Sequence, residues 1–291
     1  MNAFWASENR EAFIALRSSQ PGNHRGKLYP KTIQFGGLRA SYARDDRPWG
    51  GTDPPGVAYV YAPDRKAERP ISHLAGFKGI LQVDGYGGYR VLAERGEVQL
   101  AFCWSHVRRR FYELAAAGPA PIASEALERI AGLYAVEKDI RGRNADERRA
   151  MRQDRSRPIV DELQPWLRAK LAVISQKTKL AEAIRYALSR WDGLSRFLDD
   201  GCIEIDSNGV ERSIRPIALN RKNALFAGSD GGGEHWGVIA SLIETCKLNG
   251  VDPQTYLTEV ISKIVNGHPN NRIDELLPWA YPAAQSLKDV A

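Results

Sequence analysis

Apolar residues recur along this chain with two periods, and the period changes from strand-like to helix-like and back. From residue 38 the alternation is short. Residues 38–43, Val57-Ala58-Tyr59-Val60-Tyr61, Gly79-Ile80-Leu81-Gln82-Val83 and Glu97-Val98-Gln99-Leu100-Ala101-Phe102 each read as a strand. Turn chemistry separates them, with Pro48, Gly50 and Gly51 after the first and Pro63-Asp64-Arg65 after the second. Residues 65–77 suit a short helix over the sheet. From Trp104 to about residue 199 the chain is helix-compatible almost throughout, broken at Gly118-Pro119-Ala120-Pro121, near residues 143–146 and near 175–177. Residues 124–130 and 181–188 place apolar side chains three and four apart, as amphipathic helices do. Beyond residue 211, residues 222–227 form a short extended piece and residues 228–233 a flexible turn. A strong helix then runs from about residue 234 to Leu248 and stops at Asn249-Gly250. Asp252 caps a further helix with Pro253 at its first position, reaching about residue 265, and residues 273–281 pack as a short tail.

The front of the chain reads differently. Residues 3–17 suit one short amphipathic helix, and residues 18–37, rich in Gly and Pro with no strong period, read as an irregular arm. The pattern therefore predicts an α/β domain in two parts, residues 38–103 and 201–266, around an all-helical insertion at 104–200. Residues 1–37 form a divergent arm and 267–291 a C-terminal tail.

Composition narrows the classes. The chain has 291 residues, enough for one large domain or two modest ones, and no apolar run reaches the length of a membrane span. The first 20 residues lack the basic head and apolar core of a secretory signal. Three widely spaced cysteines, Cys103, Cys202 and Cys246, fit reduced thiols in a cytoplasmic protein rather than a disulfide framework. Lys plus Arg number 41 against 35 Asp plus Glu, a net charge of +6 that is compatible with nucleic-acid binding without establishing it. The bias is toward Arg, as in Arg108-Arg109-Arg110, and Arg suits bidentate contact with phosphate.

Two carboxylates carry the candidate chemistry. Asp84 closes an apolar strand in Val83-Asp84-Gly85-Tyr86, a strand-end position suited to a divalent cation, although a turn-forming Asp-Gly would read the same way. Glu211 lies in Asp206-Ser207-Asn208-Gly209-Val210-Glu211-Arg212-Ser213-Ile214-Arg215-Pro216. Ser207 or Asn208 can cap a helix there, and Glu211 and Arg215 share one face. A surface salt bridge and a metal-binding carboxylate beside a phosphate-facing basic surface are both open readings of that face. Two carboxylates holding Mg²⁺ at a scissile phosphate are the standard route to phosphodiester chemistry.

These segments, taken in order with residues 103–111, 221–229 and 241–253, carry a resemblance. From about residue 38 to 281 the chain resembles the transposases of the insertion sequence 66 family. The resemblance implies a ribonuclease-H-like (retroviral-integrase-like) mixed sheet interrupted by the helical insertion, with a DDE catalytic site. Asp84 would be the second carboxylate of the triad and Glu211 the third, both holding Mg²⁺, with Mn²⁺ as a substitute. Arg212, Arg215, Arg221 and Lys222 would face DNA. The implied partner is double-stranded DNA at insertion-sequence ends, with companion insertion-sequence proteins, a homo-oligomer when active, no membrane, and a cytoplasmic, nucleoid-associated location.

The front departs from the family pattern. An Asp-x-Thr motif ahead of the strand at 38–44 would carry the first catalytic Asp, yet residues 1–44 contain no Asp, and Glu8 and Glu11 match no such context. Asp45 and Asp46 fall at a turn and are poor replacements. The expectation is a truncated or rearranged transposase, inactive alone, with a catalytically inactive DNA-binding or partner-binding remnant as the alternative. Glu244 is a weaker third carboxylate, on a helix face shared with Ala240 and Leu248. Cys103 and His106 fall short of the four ligands of a structural zinc site, and Gly231-Gly232-Gly233 lacks the Lys-Ser/Thr of a phosphate-binding loop.

Overall fold

A computed structural model describes residues 11–14, 54, 56–61, 67–83, 85, 87–94, 96, 98–208 and 230–282. They fall into two compact units, one made of the described residues in 78–208 and the other of those in 11–14, 54–77 and 230–282.

In the first unit, β3 (Gly79–Val83) and β4 (Val98–Phe102) pair in parallel, with Gly79 opposite Val98 and Val83 opposite Phe102. Parallel neighbours need a crossover, and here it contains a 3₁₀ turn at Gly87–Tyr89 and a short helix, α2 (Arg90–Glu94). The chain leaves β4 directly into α3 (Trp104–Ala116). The helices α4 (Pro121–Asp139), α5 (Ala145–Met151), α6 (Arg157–Val173), α7 (Lys179–Leu188) and α8 (Trp191–Ser195) follow, with a π-helical turn at Arg152–Ser156 between α5 and α6. The breaks expected at 118–121, 143–146 and 175–177 fall between these helices. Pro121 starts α4 at a position where a missing N–H costs nothing, and Asn144 caps α5 through Oδ1, which accepts from the Glu147 backbone N–H at 2.9 Å.

The core of this unit is one cluster of Trp104, Phe111, Ile130, Leu133, Leu163, Leu167, Ile184 and Phe197 with their neighbours. Trp104 is its anchor: fully buried, edge-on to Trp191 at 5.7 Å, and donating from Nε1 to the Leu194 carbonyl at 2.8 Å. Helix α8 reaches β4 because residue 193 is glycine. A Cβ there would meet the Leu100 carbonyl oxygen at 2.7 Å and collide with the Phe102 ring.

Beneath the helices lies a buried ionic network. Arg152, with no solvent exposure, donates Nε and Nη2 to the two carboxylate oxygens of Glu137, each at 2.7 Å. Its Nη1 donates to the carbonyls of Phe197 (3.0 Å), Asp200 (3.2 Å) and Ile203 (2.8 Å). Arg148, one turn earlier, pairs with Glu204 at 3.0 Å. The guanidinium thus satisfies carbonyls that no helix or strand ladder serves, and fixes the course of residues 197–204.

In the second unit, β2 (Ala58–Tyr61) pairs antiparallel with β1 (Glu11–Ile14). Side chains of α9 (Asp230–Leu248) serve other backbone groups of this strand. Tyr59 N–H donates to Ser241 Oγ at 2.8 Å and Val57 N–H to Thr245 Oγ1 at 3.0 Å. Val57, Tyr59 and Leu248 are buried together, against Trp236 and Ala240. Helix α10 (Pro253–Val265) is capped by Asp252, whose Oδ2 accepts from the Thr255 N–H at 2.8 Å, as its sequence predicts. Cys246, Val251, Tyr256, Val260 and Leu276 close a second small core.

Two expectations are corrected here. Residues 11–14 are a strand, not part of a helix over 3–17. A short isolated helix is marginal, whereas pairing with β2 supplies a ladder of backbone hydrogen bonds. The three glycines at 231–233 lie inside α9, which begins at Asp230, rather than in a turn. Glycine costs about 1 kcal/mol per residue in a helix, and the packing of the later half of α9 offsets it. Of the remaining elements, α1 (Glu68–His73) matches the short helix expected over 65–77, and the strand-like pieces at 38–43 and 222–227 lie outside the described residues. The described residues are thus mostly helical, with a small parallel pair consistent with an α/β class.

Candidate active site

The end of β3 is where the sequence places Asp84, and the described structure shows what surrounds that strand end. Asp84 itself lies outside the described residues, as do Glu211, Arg212, Arg215, Arg221 and Lys222. Val83 before it is buried, and Gly85 after it takes φ +97°, a conformation only glycine adopts without strain.

Residues 203–208 run beside the same ends of β3 and β4. Gln82 reaches out of β3 and donates Nε2 to the carbonyls of Glu204 (2.8 Å) and Asp206 (3.3 Å). The first amide of α3, that of Trp104, donates to the Ile205 carbonyl at 3.0 Å, and Ser207 N–H donates to Cys103 Sγ at 3.2 Å. Residues 204–207 are therefore tied to β3 and to the two residues that follow β4 by backbone and side-chain bonds spanning about a hundred residues of sequence. A helix opens at Asn208, three positions before Glu211.

The acidic side chains described here are already committed. Asp206 accepts from the Asn208 backbone N–H at 3.1 Å and from its side-chain amide at 2.6 Å, a local turn that prepares the helix start. The capping foreseen for Ser207 or Asn208 would use donors outside the described residues. Glu204 is held by Arg148. Behind them, burial and the Asp206 carboxylate push the Tyr134 hydroxyl well above the usual tyrosine range. That hydroxyl is buried, and Asp206 acts on it mainly through its field, since no bond of good geometry forms. Burial pushes the Cys103 thiol up to about 11, so it serves this joint as a neutral acceptor and not as a thiolate.

The other candidates separate in the same way. Cys103 occupies the position before α3 and His106 lies on its first turn, and among the described residues no group of three or more His, Cys, Asp or Glu could hold a metal ion. Glu244 ion-pairs with Lys247 at 2.6 Å on α9 and lies near enough to Tyr59 to add to the burial that raises its hydroxyl. Gln82 and Tyr134 were missed by pattern. Gln82 carried one signal, a polar side chain between two buried apolar ones in a strand, whereas Tyr134 carried none.

The comparisons with known proteins agree with this geometry in extent. The family described as Transposase IS66 family matches residues 41–235, and the IS66 C-terminal element matches residues 241–279. The uncharacterized protein y4qI of Sinorhizobium fredii (strain NBRC 101917 / NGR234) is 48% identical over 248 residues, 83% of this chain and 46% of its own length. From the same organism, y4jD is 40% identical across 97% of this chain and 58% of its own, and y4hP 40% identical across 84% and 47%. The chain spans about half the length of these curated relatives. No solved structure matches. The first family match alone takes in both strands of the parallel pair, the whole helical insertion and the 206–216 motif, so the chain belongs to the IS66 family of transposases.

Proposed function

We propose that this chain carries the catalytic domain of an insertion-sequence transposase that cuts and joins double-stranded DNA at element ends. In this reading it has a ribonuclease-H-like sheet, and Asp84 and Glu211 serve as two of its cation ligands. The observation that carries the reading is the bonding of residues 204–207 to Gln82 of β3 and to Cys103 and Trp104 just after β4, beside the strand end that Asp84 follows in sequence. Asp206 and Glu204 are occupied by Asn208 and Arg148. The carboxylates left for a cation by the motifs are Asp84 and Glu211, whose hard oxygen donors suit Mg²⁺ or Mn²⁺. A divalent cation bound there would polarise the scissile phosphate and ease deprotonation of the attacking water or 3′-hydroxyl.

The chain's own residues do the rest. Gln82 and Cys103 fix the backbone that leads into the helix opening at Asn208, and Arg212, Arg215, Arg221 and Lys222 supply positive charge to DNA. Companion insertion-sequence proteins and self-association belong to the same proposal. Residues 1–44 contain no Asp, so the triad implied for the family lacks its first member in this sequence. The isolated chain is accordingly a DNA-binding protein without strand-transfer activity. In a strand-transfer assay with Mg²⁺ or Mn²⁺, no joined product is expected. Joined product that disappears in Asp84→Ala would overturn the inactivity, and an absence of salt-sensitive DNA binding would overturn the DNA reading itself.

A further inference from the structure

Several surface arginines of the first unit have an acidic neighbour. Arg109 pairs with Glu113 (3.1 Å), Arg129 with Glu125 (3.0 Å), Arg90 with Glu94 (3.5 Å) and Arg155 with Asp139 (2.9 Å). Two others do not. Arg110 on α3 and Arg190 just beyond α7 both stack on the ring of Tyr186, with Cζ at 3.9 and 4.0 Å from its centroid, and neither has a carboxylate within ion-pair distance among the described residues. Arg190 spends only Nη1 on hydrogen bonds, to Ser189 Oγ (3.1 Å) and the Tyr186 carbonyl (3.4 Å). Arg110 is exposed and donates to nothing described. Two like charges held within about 8 Å of each other repel, and the shared ring offsets that repulsion only in part. A bound anion would remove it.

The position of the stack says which anion. A Cβ built on Gly85 would lie 3.1 Å from Arg190 Nε and 3.2 Å from the Tyr186 hydroxyl, so the stack lies one side-chain atom away from the residue that follows Asp84. Planar guanidiniums fixed on a ring are preorganised for the oxygens of a phosphodiester. The net charge of +6 favours a polyanion over a free small anion. We propose that Arg110 and Arg190, stacked on Tyr186, grip a DNA backbone phosphate beside the one to be cut. The helical insertion that carries them is then part of the DNA-binding surface and not only a spacer. This inference rests on the transposase reading, because it takes DNA as the ligand and Asp84 as the neighbouring carboxylate.

The test is fluorescence anisotropy of the full chain with a labelled DNA duplex, over a salt series from roughly 50 to 200 mM. Arg110→Ala with Arg190→Gln should lower affinity about tenfold or more and flatten the dependence of log K on log salt by about 1 to 2, roughly one for each phosphate the protein no longer neutralises. Arg190→Lys keeps the charge, should keep the slope and should lose part of the affinity. Arg109→Ala, which removes an arginine already paired with Glu113, should bind like the wild type. Circular dichroism and melting confirm that each variant is folded, and Arg190→Lys carries the test if Arg190→Gln does not fold. A double variant with wild-type affinity and slope, or Arg109→Ala losing as much as the double variant, would overturn the stack's role and leave the transposase reading standing. A wild-type chain that binds no DNA would instead sink that reading, and this inference with it.

Discussion

Arginine does opposite work at two places in the same helical insertion. At Arg152 the guanidinium has no solvent exposure, and its Nε, Nη1 and Nη2 all donate to protein acceptors, Glu137 and three carbonyls. At Arg110 and Arg190 the guanidiniums lie against Tyr186 with donors to spare and no described carboxylate nearby. The difference teaches that the net charge, which favours a polyanion, does not say where on the surface it binds. The Arg152 charge is cancelled within the fold, while the Tyr186 pair adds to the field that a phosphate would meet.

The comparison breaks most visibly at Arg152. Arg152→Ala leaves the buried Glu137 carboxylate with only the longer contact to Arg148 at 3.8 Å and takes a donor from three carbonyls, so a loss of about 3–5 kcal/mol is expected. Arg110→Ala, at an exposed position, should stay within about 0.5 kcal/mol. Urea unfolding of both variants measures this as a large shift in midpoint for one and none for the other, with the slope unchanged. If the two variants shift alike, Arg152 is not the structural member of the contrast. Replacing both partners, Arg152→Met with Glu137→Leu, should recover much of the loss, because the cost lies in the unpaired charge.

How much of this was legible in the sequence follows from the range of each interaction. Local signals were sufficient for β3 and β4, for the start of α3 at Trp104, for the helix breaks, and for the Asp252 cap, whose donor lies three residues away. The inward face of the π-helical turn was not legible. Arg148, Arg152 and Ser156 recur at intervals of four and are all buried, but in a run that also contains Arg149, Arg155 and Arg157 they read as a solvated basic face. Only Glu137 and the carbonyls of residues 197–203, far off in sequence, reverse that reading. Strand β1 was missed for the same reason, since four residues become a strand only when β2 is beside them. At the candidate site, sequence motifs nominated Asp84 and Glu211, while the bonds from Gln82 and Cys103 to residues 204–207 cross about a hundred positions and leave no local trace.

A second buried group sets a neutral interior acceptor, Cys103 Sγ, against the charged interior donor of Arg152. Cys103 is raised from 9.0 to about 11 by burial. Its neutral form is the one the fold favours, so its contribution is complete below pH 9. It is lost as pH rises through 11, where the folded thiol also ionises. Over that window the unfolded chain binds fewer protons than the native one, and stability falls with pH. Two pH units correspond to roughly 2–3 kcal/mol. Cys103→Ser should flatten the alkaline limb of a stability–pH profile measured by urea unfolding between pH 8 and about 11, and an unchanged limb would show that other groups, Tyr134 among them, set it.

The smallest effect concerns how the Arg148–Arg152 stripe is aimed. Asn144 caps α5 by accepting from the Glu147 N–H at 2.9 Å, and α5 carries Arg148 toward Glu204 and leads into Arg152. Asn144→Ala removes an exposed cap and should cost about 1 kcal/mol. In an Arg152→Ala background the network no longer depends on how α5 is oriented. The same substitution should then cost only the bare cap value, and any excess seen in the wild-type background is the coupling between cap and network. A double-mutant cycle with no coupling would mean that the network aims itself, held by Glu137 on α4 and by residues 197–203. The helix start at Asn144 would then be incidental to the buried arginine, just as Arg109 is expected to be incidental to the stacked ones.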